Sequence, residues 1–369
     1  MRTFISRSLS QSRKAPSFLI AGFLAIVASL SPPTTLYAQD DVEIDKNIEG
    51  SALFNTEDQK EYKFFTLTFQ NDVFVGQDDG YTNGLGLTFG RGPFLEFSDD
   101  KLPTWLDFVS KKLYVRTMPN KIRGVAHMFF QRMQTPEDIT LSELQVDDAP
   151  YAGFLSSQSI MYAWDKNVSD QFSIFLGLVG PLTFAERAQI NIHRAIGADR
   201  PEGWRHQLKN EPVFRLEARR VLKLKRNYSG RFGYDILGLG TVGFGNLLSN
   251  AQAGLAVRWG SNLEFSHATF SLQTDRQVNS LSLSPKNDFF LYAGIDTGVV
   301  FNDILIDGNT FTDSHSLPLE HFQIDATVGA VVKYGKLSYV FQISSLNSRT
   351  SLNDERESFG ALSVTWVYD

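Results

Sequence analysis

From about residue 62 to its end, the chain keeps returning to one pattern: some ten residues in which apolar and polar side chains alternate, then a stretch rich in turn formers. In "FQIDATVGAVVKYG", Phe322, Ile324, Ala326, Val328, Ala330, Val332 and Tyr334 fall on one side, and Gln323, Asp325, Thr327, Gly329 and Lys333 on the other. "KLSYVFQISSL" sets Leu337, Tyr339, Phe341 and Ile343 against Lys336, Ser338, Gln342 and Ser344. "PVFRLEARRVL" sets Phe214, Leu216 and Ala218 against Arg215, Glu217 and Arg219, and "YTNGLGLTFG" sets Leu85, Leu87 and Phe89 against Gly84, Gly86 and Thr88. Strand side chains point alternately to two faces, so each segment is a strand with one apolar face. The chain is therefore all-β and largely antiparallel.

What the apolar face meets decides between two architectures. In a secreted sandwich it would meet a second sheet; in a transmembrane barrel it would meet lipid, with the polar face lining the interior. The segments are long, aromatics (30 Phe and 12 Tyr) gather near their ends, and the last of them, "FGALSVTWVYD", aligns Leu362, Val364, Trp366 and Tyr368 on one face. The beginning of the chain agrees. Arg2, Arg7, Arg13 and Lys14 precede the apolar run Phe18–Leu30, and Ala38 offers a small residue before Gln39. This run is short for a transmembrane helix and reads as a signal peptide over residues 1–38. An acidic extension over 39–61 then leads into a barrel domain over 62–369.

Charge and cysteine content narrow the partners. Four of the 35 basic residues lie in the leader and none of the 41 acidic ones does, so the remainder carries about −10; nucleic acid is not expected as a partner. The chain has no cysteine, hence no disulfide. Thirteen segments qualify as strands. Single-chain bacterial barrels have even numbers, and the segment near His267–Thr274 has the poorest alternation, so twelve strands are expected.

With a periplasmic N-terminus, odd strands run outward. The mouth of the first hairpin, "NDVFVGQDDGYT" (Asn71–Thr82), and the connection Pro181–Glu211 then share the outer rim. Ala188, Ile192, Ala195 and Ile196 have helical spacing, which predicts a short helix from about Phe184 to Ala195 or Ile196, stopped by Gly197. That helix is expected to pack its apolar face on the barrel rim and carry His193 towards the wall. Gly90–Arg123, by contrast, is long for a periplasmic turn, and Trp105, Leu106, Val109 and Leu113 are spaced like one face of an amphipathic helix. Asn71, Asp72, Thr82, His193 and Asp199 are the candidate site. A histidine suits a base near neutral pH, and carboxylates and carbonyls suit Ca²⁺. Spacing alone does not bring them together.

"FQNDVF…DDGYTNGLGL", "DDAPYAGFL" (Asp147–Leu155), "HRAIGADRPEGWRHQLKNEP" and "GFGNLLSNAQAGLAVRWG" occur in one order over most of the chain. Together they resemble the lipid A 3′-O-deacylase family of outer-membrane barrels. The resemblance implies a twelve-stranded antiparallel barrel acting on lipopolysaccharide, its site on the extracellular side between the wall and a loop helix; a monomer is expected. It implies Ca²⁺-dependent hydrolysis of the 3′-linked acyloxyacyl group, in which histidine activates water and calcium polarises the ester carbonyl. Carried over by motif, His193 is the base, Asp72 a calcium ligand, and Asn71 and Thr82 complete the polar site. Asp199 stands where a family member has the longer Glu; Glu202 and Glu211 are neighbouring carboxylates, Glu211 reading better as structural. Trp204 and His206 read as structural or lipid-interface residues. Two other functions fit the same pattern: a phospholipid esterase, and a porin with the interior charges Arg215, Glu217, Arg219, Arg258, Asp325 and Lys333 lining its lumen.

Overall fold

Each strand pairs with its sequence neighbours, and the last pairs with the first, so no edge is left to face lipid. A computed structural model describes residues 61–75, 83–98, 100–228, 231–264, 266–272, 287–353 and 356–368; the expected signal peptide and acidic extension lie outside them. The twelve antiparallel strands are β1 Tyr62–Asn71, β2 Asn83–Phe94, β3 Ile122–Gln134, β4 Ala152–Trp164, β5 Val168–Val179, β6 Glu211–Asn227, β7 Gly233–Phe244, β8 Leu248–Gly260, β9 Asp288–Asp303, β10 Phe322–Tyr334, β11 Leu337–Leu346 and β12 Glu357–Tyr368. Four helices interrupt them: α1 Thr104–Ser110, α2 Tyr114–Thr117, α3 Ala185–Ile196 and α4 Ile304–Asp307. β1 starts and β12 ends at one rim, called lower here; odd strands end at the upper rim.

The expected twelve-stranded barrel is the one observed, and the alternation falls where the sequence puts it. Leu67, Leu87, Phe129, Leu155, Leu176, Phe214, Leu255, Ile295, Val328, Phe341 and Leu362 are exposed on the outer wall. Thr66, Thr68, Gln158, Arg215, Glu217, Thr327, Gln342 and Thr365 point inward and are buried. The inner hydroxyls pair across strands: Thr66 with Thr365 at 2.8 Å, Thr68 with Ser363 at 2.7 Å, Thr327 with Ser344 at 2.6 Å.

The segment near His267–Thr274 is not a strand. Its described part, His267–Leu272, belongs to the β8–β9 connection and lies inside the barrel, where all six residues are buried. Ser169 Oγ and Gln171 Nε2 on β5 donate to the Ala268 carbonyl (2.7 and 3.1 Å), and Thr327 Oγ1 on β10 donates to that of Leu272 (2.9 Å). β5 and β10 are five places apart in a ring of twelve, so the connection crosses the lumen. Leu263, Phe270 and Leu272 pack there on Val221, Leu237, Ala256, Phe290, Tyr292, Val331 and Val340. Higher up, a cavity of about 70 Å³ lies among Phe130, Arg132, Phe154, Arg215 and Leu305. Among the described residues the lumen is a packed core, not a channel.

The interior charges hold this core together. Arg258 grips Asp235 with two hydrogen bonds, Nε–Oδ1 2.9 Å and Nη2–Oδ2 2.6 Å, with both side chains fully buried. Arg258 also donates to Ser266 Oγ (2.9 Å) and the Leu263 carbonyl (3.0 Å), and it lies between the rings of Phe270 and Phe290. Arg215 pairs with Glu217 (2.8 Å) and Asn250 (2.7 Å). Removing one partner of a buried pair strands the other charge, which costs about 3–5 kcal/mol. Asp235→Ala is therefore expected to lower the urea midpoint of the vesicle-embedded barrel, followed by its heat-modifiable gel shift. An unchanged midpoint would mean that Arg258 does not depend on Asp235.

At the lower rim, α1 departs from the expected pattern. Leu106 is buried, but Trp105, Phe108 and Val109 are exposed at 46, 75 and 47 %, and Leu113 lies beyond the helix. Leu106 therefore does not share the exposure of Trp105 and Val109, and Leu113 is not part of the helix.

Candidate active site on the outer wall

The upper ends of β3 and β4 carry a gap in the outer wall where a helix is seated. On the outer face Met133 stands opposite Gly153, and a Cβ at Gly153 would collide with Thr183 Oγ1 and the Ala185 Cβ. The missing side chain lets the chain after β5 cross the wall in direct contact. Gln131 Nε2 donates to the Thr183 carbonyl (2.7 Å) and Thr183 Oγ1 to that of Gly180 (2.7 Å), fixing the approach to α3. Ala185 and Ala188 pack with Met133, Tyr151 and Trp204. Gln189, also buried, accepts the Trp204 indole N–H at 2.7 Å, and Trp204 rests on the Tyr151 ring with centroids 5.0 Å apart. Gly203 has no side chain because Tyr151 occupies that space. Burial pushes the Tyr151 phenol up to about 12, so at neutral pH it keeps its proton, which it donates to the Ile139 carbonyl (3.3 Å).

The predicted helix is present with nearly the expected bounds, and Gly197, at φ 75°, closes it as a left-handed cap. Its packed face is only partly the expected one: Ala188 meets the wall, whereas Ile192, Ala195 and Ile196 do not. Small residues and Gln189 face the wall. Ile192 and Ile196 are exposed at 40 and 71 %, as are Leu182 and Phe184 at the approach to α3, at 54 and 56 %. The physical reason is the surroundings: on the outside of a barrel the wall rewards close approach, and the large apolar side chains are left for lipid.

His193 sits in the last turn of α3, half-buried. The left-handed cap turns the chain back so that His193 Nδ1 meets the backbone carbonyl of Asp199 at 2.6 Å. A carbonyl can only accept, so Nδ1 carries a hydrogen, and in the neutral imidazole Nε2 is left with its lone pair. This is the tautomer that a general base needs. Asp199 thus acts on His193 through its backbone, while its carboxylate is exposed.

Asn71 shares the outward parity of Leu67 and Phe69 and sits opposite Gly360 of β12, itself buried. Asp72, 2 % exposed, opens a 3₁₀ turn (Asp72–Val75) that leans over β12, with the Phe74 ring 5.8 Å from those of Phe69 and Phe341. Thr82 lies outside the described residues. α3 packs on β3 and β4, and Asn71–Asp72 close β1, so His193 and this pair lie at one rim. Two to three strand spacings, roughly 10–15 Å, separate β1 from the strands beneath α3.

Asp72 and the Asn71 amide oxygen are the hard oxygen donors that a calcium ion takes. No group of three His, Asp or Glu converges on a metal position among the described residues. Of the neighbouring carboxylates, Glu202 pairs with Arg200 (3.4 Å). Glu211 accepts hydrogen bonds from Asn246, Asn309 and the backbone of Thr310 and Phe311, a structural clamp as expected. Trp204 is structural too, and His206 Nε2 lies 3.2 Å from the Ser142 carbonyl. Sequence reasoning passed over Tyr151, Gly153 and Gln189. The signal for Tyr151 and Gly153 was the pairing of "PYAGF" with "PEGW", visible only once the two loops touch; Gln189 shows itself only through its bond to Trp204.

A sequence model of the family described as outer membrane protein LpxR matches residues 22–368. The chain belongs to the LpxR family. Its fold is similar to LpxR from Salmonella typhimurium, with a TM-score of 0.68 at 15 % identity over 82 % of this chain and 99 % of that one. The translocator domain of the autotransporter NalP from Neisseria meningitidis matches at a TM-score of 0.36 and 11 % identity, covering 83 % of this chain and 87 % of that one. No curated protein sequence matches. Membership in the LpxR family makes this an outer-membrane barrel and a lipid A-modifying enzyme.

Proposed function

We propose that this LpxR family member is an esterase that removes the 3′-linked acyloxyacyl group of lipid A, working at the outward-facing rim as a single chain. One observation carries the reading: His193 rides on a helix clamped to the outer wall, with Nδ1–H committed to the Asp199 carbonyl. The base is thereby held where a lipid, not a solute from the lumen, reaches it. The exposed Leu182, Phe184, Ile192 and Ile196 offer acyl chains an apolar surface beside it.

In this reading His193 Nε2 takes a proton from water as the water oxygen bonds to the ester carbonyl carbon. The C–O bond to the sugar then breaks, and the proton passes from Nε2 to the departing sugar oxygen. The products are a free acyloxyacyl acid and a sugar hydroxyl. Asp72 would hold a Ca²⁺, with Asp199 as a second carboxylate, and Asn71 and Thr82 would complete the polar site; when bound, the ion supplies positive charge to the ester oxygen. A phospholipid esterase would use the same groups.

Purified protein supplied with lipopolysaccharide and phospholipid together, first with Ca²⁺ and then with a chelator, tests the proposal. The expected result is acid released from lipid A alone and release stopped by the chelator. Release from phospholipid alone would reassign the substrate, and undiminished release under chelation would remove calcium from the mechanism. The packed lumen argues against the porin reading.

A further inference from the structure

The outer wall is not bare at the lower rim either. Arg123 and Val125 on β3, Met161 and Ala163 on β4, Asp170 and Phe172 on β5, and Ala218 on β6 all point outward, in register with one another. Every one of them is buried, between 0 and 7 % exposed, whereas outward residues near the same rim elsewhere, Val257, Leu291, Val332 and Trp366, are 42–52 % exposed. The cover is the β2–β3 connection, which folds back onto the wall instead of turning beneath it. α2 packs on β4 and β5, and Tyr114 reaches the Gln171 carbonyl (3.0 Å). Arg123 donates to the carbonyls of Leu95, Met118 and Lys121 at 2.5–2.7 Å and to that of Arg116 at 3.2 Å. Beneath the connection lies the ion pair Arg220–Asp170 (2.7 Å), a polar pair on a wall that elsewhere meets lipid.

The connection itself has two sides. Phe97, Leu102, Leu106 and Val115 face inward, at 0–5 % exposure; Leu95, Trp105, Phe108 and Val109 face away from the protein, at 46–75 %. Lys111 and Lys112 follow α1 and are exposed. An apolar face with an aromatic pair and adjoining lysines is the make-up of a helix that lies in a membrane interface.

We infer that α1 is an in-plane membrane anchor, seated in the acyl–headgroup boundary of the leaflet around the lower rim, with Trp105, Phe108 and Val109 in the acyl region and Lys111 and Lys112 at anionic phospholipid headgroups. Two things select lipid as the occupant. The apolar face continues the lipid-facing wall on which the connection lies, and the basic pair complements an anionic surface. The anchor is independent of the hydrolytic reading, because it touches none of the residues of that site.

The absence of cysteine permits a direct test. Phe108→Cys carries a nitroxide spin label in the full-length barrel, reconstituted in vesicles of phosphatidylethanolamine and phosphatidylglycerol. Lys166→Cys, in the exposed β4–β5 turn of the same rim, gives the aqueous reference, and retention of the heat-modifiable gel shift reports folding. The label at 108 is expected to collide freely with oxygen and several-fold less than the label at 166 with a water-soluble nickel chelate. Equal nickel collision at the two positions would place α1 in water and overturn the inference. Shielding from both reagents would mean that protein covers the helix, and would overturn it equally.

Discussion

Replacing His193 by alanine is expected to lower the rate of acyl release from lipid A by about 10²–10⁴-fold, the usual worth of a positioned general base. The residue touches the fold lightly. It lies in the last turn of a surface helix, and its imidazole is tied to the Asp199 carbonyl. The variant should therefore keep the gel shift of the folded barrel and lose only turnover. His193→Gln separates two roles. Glutamine can still donate to that carbonyl but cannot take a proton, so it should be as inactive as alanine. If His193→Gln retained activity, the imidazole would be a structural strut and the base would lie elsewhere.

The second large effect concerns a residue with no chemistry of its own. Gly153→Leu places a branched side chain where Thr183 and Ala185 touch the wall, so the start of α3 must lift. A displacement on the order of 1 Å can cost about 10²-fold in rate when it moves a catalytic group. Activity is expected to fall by at least that factor while the barrel stays folded, because the wall beneath is held by the β3–β4 ladder and not by the helix. Trp204→Ala attacks the same joint from the loop side, removing the partner of Gln189 and Tyr151. If both variants turned over substrate at the normal rate, the seat of α3 would not matter to catalysis.

The barrel was legible because alternation is a local signal: Phe322 to Tyr334 states its two faces without help from any other strand. The bounds of α3 followed from equally local rules, with Gly197 marking the stop, whereas the strand number needed the even count of single-chain barrels to discard a thirteenth segment. The face of α3 departs from the expected one because of what surrounds it. Apolar residues at helical spacing were taken to mark the packed face, a rule for chains in water. Ile192 and Ile196 lie outside a wall that meets lipid, where packing favours Ala185, Ala188 and Gly153. The loop across the lumen was illegible for a different reason. Its partners Ser169 and Thr327 come from two strands distant in sequence, and nothing near His267 announces them.

Asn71 and Asp72 were found as a polar break at the end of an alternating strand, and they sit at that strand's end, buried. Whether His193 can act together with them was not legible, since that depends on how far a helix seated on β3 and β4 reaches along the wall. Asp199 shows the same limit. Its side chain drew attention, but the hydrogen bond to His193 comes from its backbone, a role that no residue identity encodes.

The most direct test of the account is the mass spectrum of lipid A from cells that express this chain, beside cells that express His193→Ala at equal level in the same membrane. The account expects the wild type to convert lipid A to a species lighter by one acyloxyacyl group, and the variant to leave it at full mass. Full-mass lipid A in both, with folded protein and calcium present, would contradict it.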